Sequence, residues 1–325
     1  MPPLSSPAAP TVSVIVAFHD DAARVETALR QLAAIDYPNA EFLFIDDGST
    51  DATPGLLDAF VAAHPATRVL HNHENEGVAA ARNRAVAEAT GQYLWFADPD
   101  DRWDAGILAH LVAALDPGVD VVVCGARVVD EEGRPVRTID AVPTGSDLTG
   151  VEALETVLRG ELSGYLWNKL FHRGLATPFP LQRSLSDLPF VATAVSSATV
   201  VRRTSGTPYT YVQRAGSITR AAGGIDLGDL ARSARAVIET ARDAPAPLVT
   251  LFRYWFAVVP IHTQWALRRE RASATVAGLD VRVRVGEARG ILSLDRRTAL
   301  KALWIRCAGP LFAPVYRTVL KGRAQ

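Results

Sequence analysis

An α/β fold is the architecture this sequence predicts: a mostly parallel sheet flanked by helices, then a mainly helical C-terminal region. Three observations carry that expectation. Short apolar runs rich in β-branched and aromatic residues recur at 11–18, 41–45 and 92–97, each too short for a helix. They alternate with helical-period segments of about a dozen residues, the rhythm of βαβ units. Each run also stops at a cluster of carboxylates, which places acids outside the carboxyl ends of strands, where ligands of open α/β sheets bind.

Residues 11–18 form the first expected strand, ending at His19-Asp20-Asp21. Val25, Leu29 and Leu32 then recur at helical spacing, so a helix follows to about Ile35, until Tyr37-Pro38-Asn39 breaks it. The second strand, 41–45, ends at Asp46-Asp47-Gly48-Ser49-Thr50-Asp51, and a helix over 54–63 starts with Pro54 in its first turn. A short third strand is expected at 68–70. Residues 77–89 read as an alanine-rich helix able to lie close on the sheet, and 92–97 as the fourth strand, opened by Gly91 and buried on both faces. Residues 119–129 read as one continuing strand, and 151–158 as a helix. Three segments are expected: a loose Pro/Ser/Ala-rich leader at 1–10, which is not a signal peptide, a domain at 11–222, and a helical region at 223–325.

The 325 residues are 48% hydrophobic, with 6 Trp and 11 Phe, a globular and not a disordered composition. The formal charge of −1 conceals an asymmetry. From Leu251 onward there are 14 Lys and Arg against 4 Asp and Glu, a net of +10, which leaves −11 on the rest. A basic tail carrying Phe252, Tyr254, Trp255, Trp265 and Trp304 suits either a membrane-surface contact or ordinary helix packing, within this chain or against a second copy. Cys124 and Cys307 lie in apolar company and read as reduced core residues of a cytoplasmic protein. The longest apolar stretch, 248–267, is interrupted by Arg253, Pro260 and His262, so no membrane span is expected.

Chemistry concentrates at the strand ends. Asp98-Pro99-Asp100 offers two hard oxygen donors on one turn, a pattern able to hold Mg²⁺ or Mn²⁺ while water and substrate phosphate complete the shell. The same acids also suit a solvated turn, with Asp101 or Asp104 capping the next helix. Asp47 can accept hydrogen bonds from a ribose or a base, while Ser49 to Asp51 are good helix caps. Asn75-Glu76-Gly77 opens a helix two turns before Arg82, whose forked donors suit either phosphate oxygens or a structural ion pair. Trp167-Asn168-Lys169 either walls a pocket or packs a strand edge. Asp187 is a lone acid in an apolar segment, a cap or a base. Arg214 and Ser217 belong to a Gly/Ser loop after a tyrosine-rich strand, either an ordinary polar turn or a phosphate cover.

Together these stretches resemble family 2 glycosyltransferases of the GT-A, Rossmann-like fold. His19-Asp20-Asp21, Asp46-Asp47-Gly48-Ser49, Asn75-x-Gly77 with Arg82-Asn83, and Asp98-x-Asp100-Asp101 stand in the family's order and approximate spacing. The downstream Trp167-Asn168-Lys169, Ser186-Asp187 and Arg214-x-Gly216-Ser217 stretches look like the branch that builds teichoic acids, capsules and related polysaccharides. The resemblance covers about residues 12–220. It implies that Ala17, His19, Asp21 and Asp47 surround a nucleoside and that Asn75 and Arg82 steady the nucleotide and the acids. It also implies that Asp98 meets ribose or sugar, that Asp100 binds Mn²⁺ or Mg²⁺, that Asp187 is the general base, and that Arg214 and Ser217 close over the diphosphate. The implied reaction is inverting, metal-dependent transfer from a nucleotide-diphosphate sugar, with UDP the expected nucleotide, to a hydroxyl of a cell-surface glycan, polymer or lipid-linked acceptor. No nucleic-acid partner is implied, and the expected location is cytoplasmic, at most peripheral at the inner membrane face.

Three departures stand out. Ala17 and His19 replace the family's usual Pro and Tyr, Asp187 lacks a second acid, and no Trp follows Gln213-Arg214 as in processive synthases, which points to non-processive addition. A nucleotidyltransferase of similar fold lacks its Gly-rich, Arg-containing loop here. A catalytically inactive sugar-nucleotide-binding scaffold is disfavoured by the retained acids.

Overall fold

The computed structural model describes residues 9–214, 225–268 and 273–308. These divide into two compact units, one of residues up to Gly150 plus Gly164–Arg214, the other of Val151–Ser163 plus the residues after Arg214. Residues 151–163 therefore belong with the C-terminal helices, although they precede the last strands of the first unit. The leader falls outside the described residues up to position 8.

The first unit begins β1 (Val12–Phe18), α1 (Ala22–Ala33), β2 (Ala40–Asp46), α2 (Thr53–Ala63), β3 (Thr67–His71), α3 (Val78–Glu88) and β4 (Tyr93–Ala97). It continues through β5 (Arg102–Trp103), α4 (Ile107–Val112), β6 (Val119–Val123), β7 (Ala126–Val129), β8 (Pro135–Ile139) and β9 (Ser146–Thr149). After α5 (Gly150–Arg159) come β10 (Lys169–His172), α6 (Asp187–Ser197), β11 (Val200–Arg203) and β12 (Tyr209–Val212). Eight strands form the main sheet in the order β3-β2-β1-β4-β10-β6-β11-β9, and four form a second sheet, β5-β12-β7-β8.

The first four strands of the main sheet are parallel, while β10 runs against both neighbours. β1 and β4 are buried almost throughout, which is why they read as continuous apolar runs. α1 lays Val25, Ala28, Leu29 and Leu32 on the core, and α3 meets the sheet through Ala79, Ala81 and Ala85, whose small side chains permit a close approach.

The register fixes where function can sit. Phe18 pairs with Asp46 and Val16 with Ala97, so Ala17, His19, Asp47 and Asp98 emerge at one edge of the sheet. Strand order reverses between β1 and β4, the kind of switch point where α/β sheets bind ligands.

The expected single strand over 119–129 is instead two. β6 lies in the main sheet and β7 in the second, with Cys124 and Gly125 as the crossing; their amides donate to Asn168 O and Gly206 O. Apolar character is continuous across the break, so the pattern carries no mark of it.

The second unit contains α5, α7 (Leu227–Thr240), α8 (Ala246–Phe252), a π-helical turn at Arg253–Val258, and α9 (Val259–Arg268). A two-stranded hairpin, β13 (Thr275–Val276) and β14 (Leu279–Asp280), precedes α10 (Val285–Gly290) and α11 (Arg296–Ala308). Phe252, Tyr254 and Trp265 are buried in this unit, and the Trp255 indole donates to Leu158 O at 2.8 Å. These aromatics therefore pack inward. Arg282 and Arg284 pair with Asp280, whose carboxyl their hydrogen bonds, Arg282's above all, hold below the usual range against the opposing effect of burial. Cys124 is buried as expected, but Cys307 is exposed, because it falls on the outward side of α11. Among the described residues no helix is long and apolar enough to cross a membrane.

Candidate active site

The loops at the ends of β1 and β2 are tied to one another. Asp20 accepts from the Thr50 amide at 2.7 Å, and its own amide donates to Ser49 Oγ. Asp51 accepts from the Ala22 and Thr53 amides, so a single carboxylate serves the starts of α1 and α2. The Thr53 hydroxyl and these amides hold the Asp51 carboxyl below its ordinary range. Asp21 binds Arg24 at 3.0 Å, His19 is exposed with Nε2 3.6 Å from Asp20, and Ala17 is partly buried at the edge of β1.

Asp47 is 3% exposed and accepts three hydrogen bonds, from Asn72 Nδ2 and from the amides of Glu76 and Gly77. Gly77 stands at φ 90° as the N-cap of α3, a conformation that disfavours side chains, and Asn75 Oδ1 also accepts from its amide. Asp47 and Asn75 thus build the turn that launches α3.

Just over one turn into that helix, Arg82 is 6% exposed and forked between two acids. One nitrogen donates to Asp98 Oδ1 at 2.9 Å, the other to Asp187 Oδ1 at 2.7 Å. Asp98 follows β4, whereas Asp187 is the first residue of α6, two positions after Leu185 at φ 61°, a strained setting for a leucine. Burial pushes the Asp98 carboxyl up, opposed by the Arg82 charge and reinforced by Asp187. Arg82 itself is driven higher by the two carboxylates, although burial works against its charge.

Asp100 sits at the mouth with its side chain 41% exposed, paired with Arg214 at 2.5 Å. Arg214 also donates to the Asp100 carbonyl. Burial and the nearby charge of Asp98 raise the Asp100 carboxyl, and Arg214 lowers it. Among the described residues no group of three acidic, histidine or cysteine side chains is placed to hold a metal ion, so Asp100 offers a cation a single part-exposed carboxylate. Asp101 does not cap a helix, and neither does the Asp104 side chain. Asp101 is buried, accepting from the Tyr209 hydroxyl at 2.8 Å and the Val212 amide at 2.9 Å, and so clamps β12. Burial, with Asp98 and Asp100 adding, drives its carboxyl well above the usual range.

A family model described as Glycosyl transferase family 2 matches residues 13–173. The chain belongs to this family.

EpsH of Bacillus subtilis (strain 168), named as a glycosyltransferase, is 27% identical over 183 residues, 55% of this chain and 53% of EpsH, so the chain spans about half the length of that relative. Among solved structures, S. aureus TarS 1-349 in complex with UDP-GlcNAc superposes with a TM-score of 0.71 at 19% identity, covering 96% of this chain and 92% of the other. The mannosyltransferase PcManGT from Pyrobaculum calidifontis, in complex with GDP-Man and Mn²⁺, superposes at 0.50 and 20% identity, covering 97% and 80%. At these identities the likeness is one of fold.

Within this family 2 chain the structure gathers Asp98, Asp187 and Arg82 into one contact and joins Asp100 to Arg214. Asp47 and Asn75 instead organise the α3 turn. Ser217 lies outside the described residues. Lys169 does not line an open pocket. It is fully buried, 3.1 Å from Asp140 and bonded to Asn168 Oδ1 and the Tyr165 carbonyl. Tyr209 was missed as a site residue; its place in a tyrosine-rich strand was the only signal.

Beside the site, His71 Nδ1 lies 2.9 Å from Asp46 and Nε2 3.2 Å from Asp58. The Asp46 contact raises the His71 pKa, with burial opposing and Asp58 adding. A histidine raised in the fold stabilises fully below its unfolded value of about 6.5 and loses that contribution as pH climbs through the folded value. His71→Gln is therefore expected to lower the melting temperature most near pH 6 and progressively less toward pH 8. A gap that stayed constant with pH would contradict the pairing.

Proposed function

We propose that this chain transfers a sugar from a nucleoside-diphosphate sugar, UDP-linked, to a hydroxyl of a cell-surface glycan, polymer or lipid-linked acceptor, by single inverting additions. The observation that carries this reading is the Arg82 fork, which joins an acid at the sheet's switch point to an acid at the head of α6. One acid then faces the donor and the other serves the acceptor. The name of EpsH supports the class of reaction, and the UDP-GlcNAc bound to TarS the class of donor.

Asp187 takes the proton of the acceptor hydroxyl, a contribution of about 10²–10⁴-fold. The bonds it accepts from Arg82 and Ser186 both fall on Oδ1, which leaves Oδ2 as the oxygen to receive the proton. Arg82 fixes the direction of that carboxylate and holds Asp98 toward ribose or sugar. Arg214, now paired with Asp100, exchanges that contact for the diphosphate when the donor arrives, and Ser217, three positions later in the sequence, is assigned to the same diphosphate. Ala17, His19 and Asp21 bound the nucleoside, and Asp47 contributes by holding the α3 turn. Asp100 would hold Mn²⁺ or Mg²⁺, which when bound offsets charge on the departing diphosphate. The Mn²⁺ in PcManGT supports that role. The protein works inside the cell, peripheral at most to the membrane, with residues 11–222, less the 151–163 segment, as the catalytic domain.

Titration of UDP, GDP and CDP by calorimetry, each with Mn²⁺ and then with chelator, tests the reading. One diphosphate is expected to bind, and chelation to weaken it by about tenfold or more. A folded protein that bound none of them would move the assignment to a scaffold.

A further inference from the structure

A stack of aromatic rings starts under the acids and ends at two partly buried tyrosines. Trp103 stacks on Tyr209 with centroids 6.1 Å apart, and Tyr209 on Trp167 at 4.5 Å and 7°. Trp167 carries two further rings, Tyr165 at 4.8 Å and Tyr211 at 5.8 Å. The first three rings are buried, but Tyr165 and Tyr211 are only partly so. The inner end is anchored by the Tyr209 hydroxyl on Asp101.

The outer end is held with equal care. Lys169 Nζ binds the Tyr165 carbonyl at 2.9 Å and is itself paired with Asp140, a buried acid at φ 52°. Gly164 presses the same loop onto the head of α6. A Cβ there would lie 2.6 Å from Leu188 Cδ1 and 3.0 Å from Leu188 Cα, and Leu188 is the neighbour of Asp187. Burial raises the Tyr165 hydroxyl's pKa, with Arg137 opposing and the charges of Asp187 and Asp140 adding, so the ring lies within the field of the proposed base.

Aromatic faces are electron-rich, and the C–H face of a sugar ring is polarised positive by its oxygens, so the two stack while the hydroxyls point outward. We propose that Tyr165 and Tyr211 form the acceptor subsite, taking a pyranose ring whose C–H face lies on Tyr165 and one of whose hydroxyls reaches Asp187. This rests on the transferase reading above.

Saturation-transfer NMR tests it with three probes in the presence of UDP and Mg²⁺: methyl β-glucopyranoside, methyl β-galactopyranoside and methyl N-acetyl-β-glucosaminide. At least one should show saturation on its ring C–H protons with the wild type. Tyr165→Ala should weaken its binding about tenfold, while Tyr165→Phe, which keeps the ring, binds like the wild type. Tyr165→Leu retains apolar bulk against Trp167 and should lose binding as the alanine variant does, with the UDP affinity of all three variants unchanged. Pyranoside binding that survives both Ala and Leu overturns the subsite, as does a wild type that binds UDP but no pyranoside. A wild type that binds no nucleoside diphosphate overturns the transferase reading and the subsite with it.

Discussion

Arg82→Ala is expected to lower folding stability by about 3–5 kcal/mol, the cost of removing one partner from a buried ion pair. The reason is in the geometry. Arg82 is 6% exposed, and both carboxylates it binds have most of their side-chain surface out of water, Asp98 at 33% and Asp187 at 26% exposure. Without the guanidinium, two negative charges face each other with nothing between them. Lysine does not repair this, since a single ammonium on a flexible stem cannot present two fixed donors to two acids. Urea unfolding followed by tryptophan fluorescence gives the number, and Arg82→Lys should fall between alanine and the wild type. A midpoint unchanged in Arg82→Ala would mean that the three groups do not form one unit in solution. The guanidinium also sits 5.9 Å from the Phe179 ring, a further contact that alanine removes.

The same triad marks how far the sequence can be read. Strands β1, β2 and β4 were legible because burial on both faces makes their residues uniformly apolar and the acids at their ends break that pattern sharply. The shared edge of Asp47 and Asp98 followed from period and topology alone. Arg82 was legible as a forked cation, but its partners were not. Asp187 lies 105 residues further along, and nothing local to either residue distinguishes a long-range pair from a helix cap. The division of 119–129 between two sheets was hidden for a related reason: the break at Cys124-Gly125 is made by pairing with Asn168 and Gly206, residues remote in the chain. Asp101 was equally opaque. Three acids in four residues look alike in sequence, yet one is at the mouth, one is forked to Arg82 and one is sealed beneath Tyr209.

Asp187→Asn is expected to reduce transfer by about 10²–10⁴-fold while leaving nucleotide-sugar affinity within a few-fold of the wild type. Asparagine keeps the size of the side chain and an oxygen that Arg82 can still bond, so the head of α6 is not disturbed. What it loses is the charge and the ability to take a proton. Asp98→Asn offers the contrast, because it weakens the same Arg82 contact on the donor side and should lower affinity as well as rate. The comparison separates a base from a positioning acid, since a general base acts in the chemical step and a ground-state contact shows in binding. Single-turnover transfer and donor titration on the two variants supply both quantities. If Asp187→Asn lost donor binding and kept transfer, Asp187 would belong to the nucleotide and the proton would have to leave by another group.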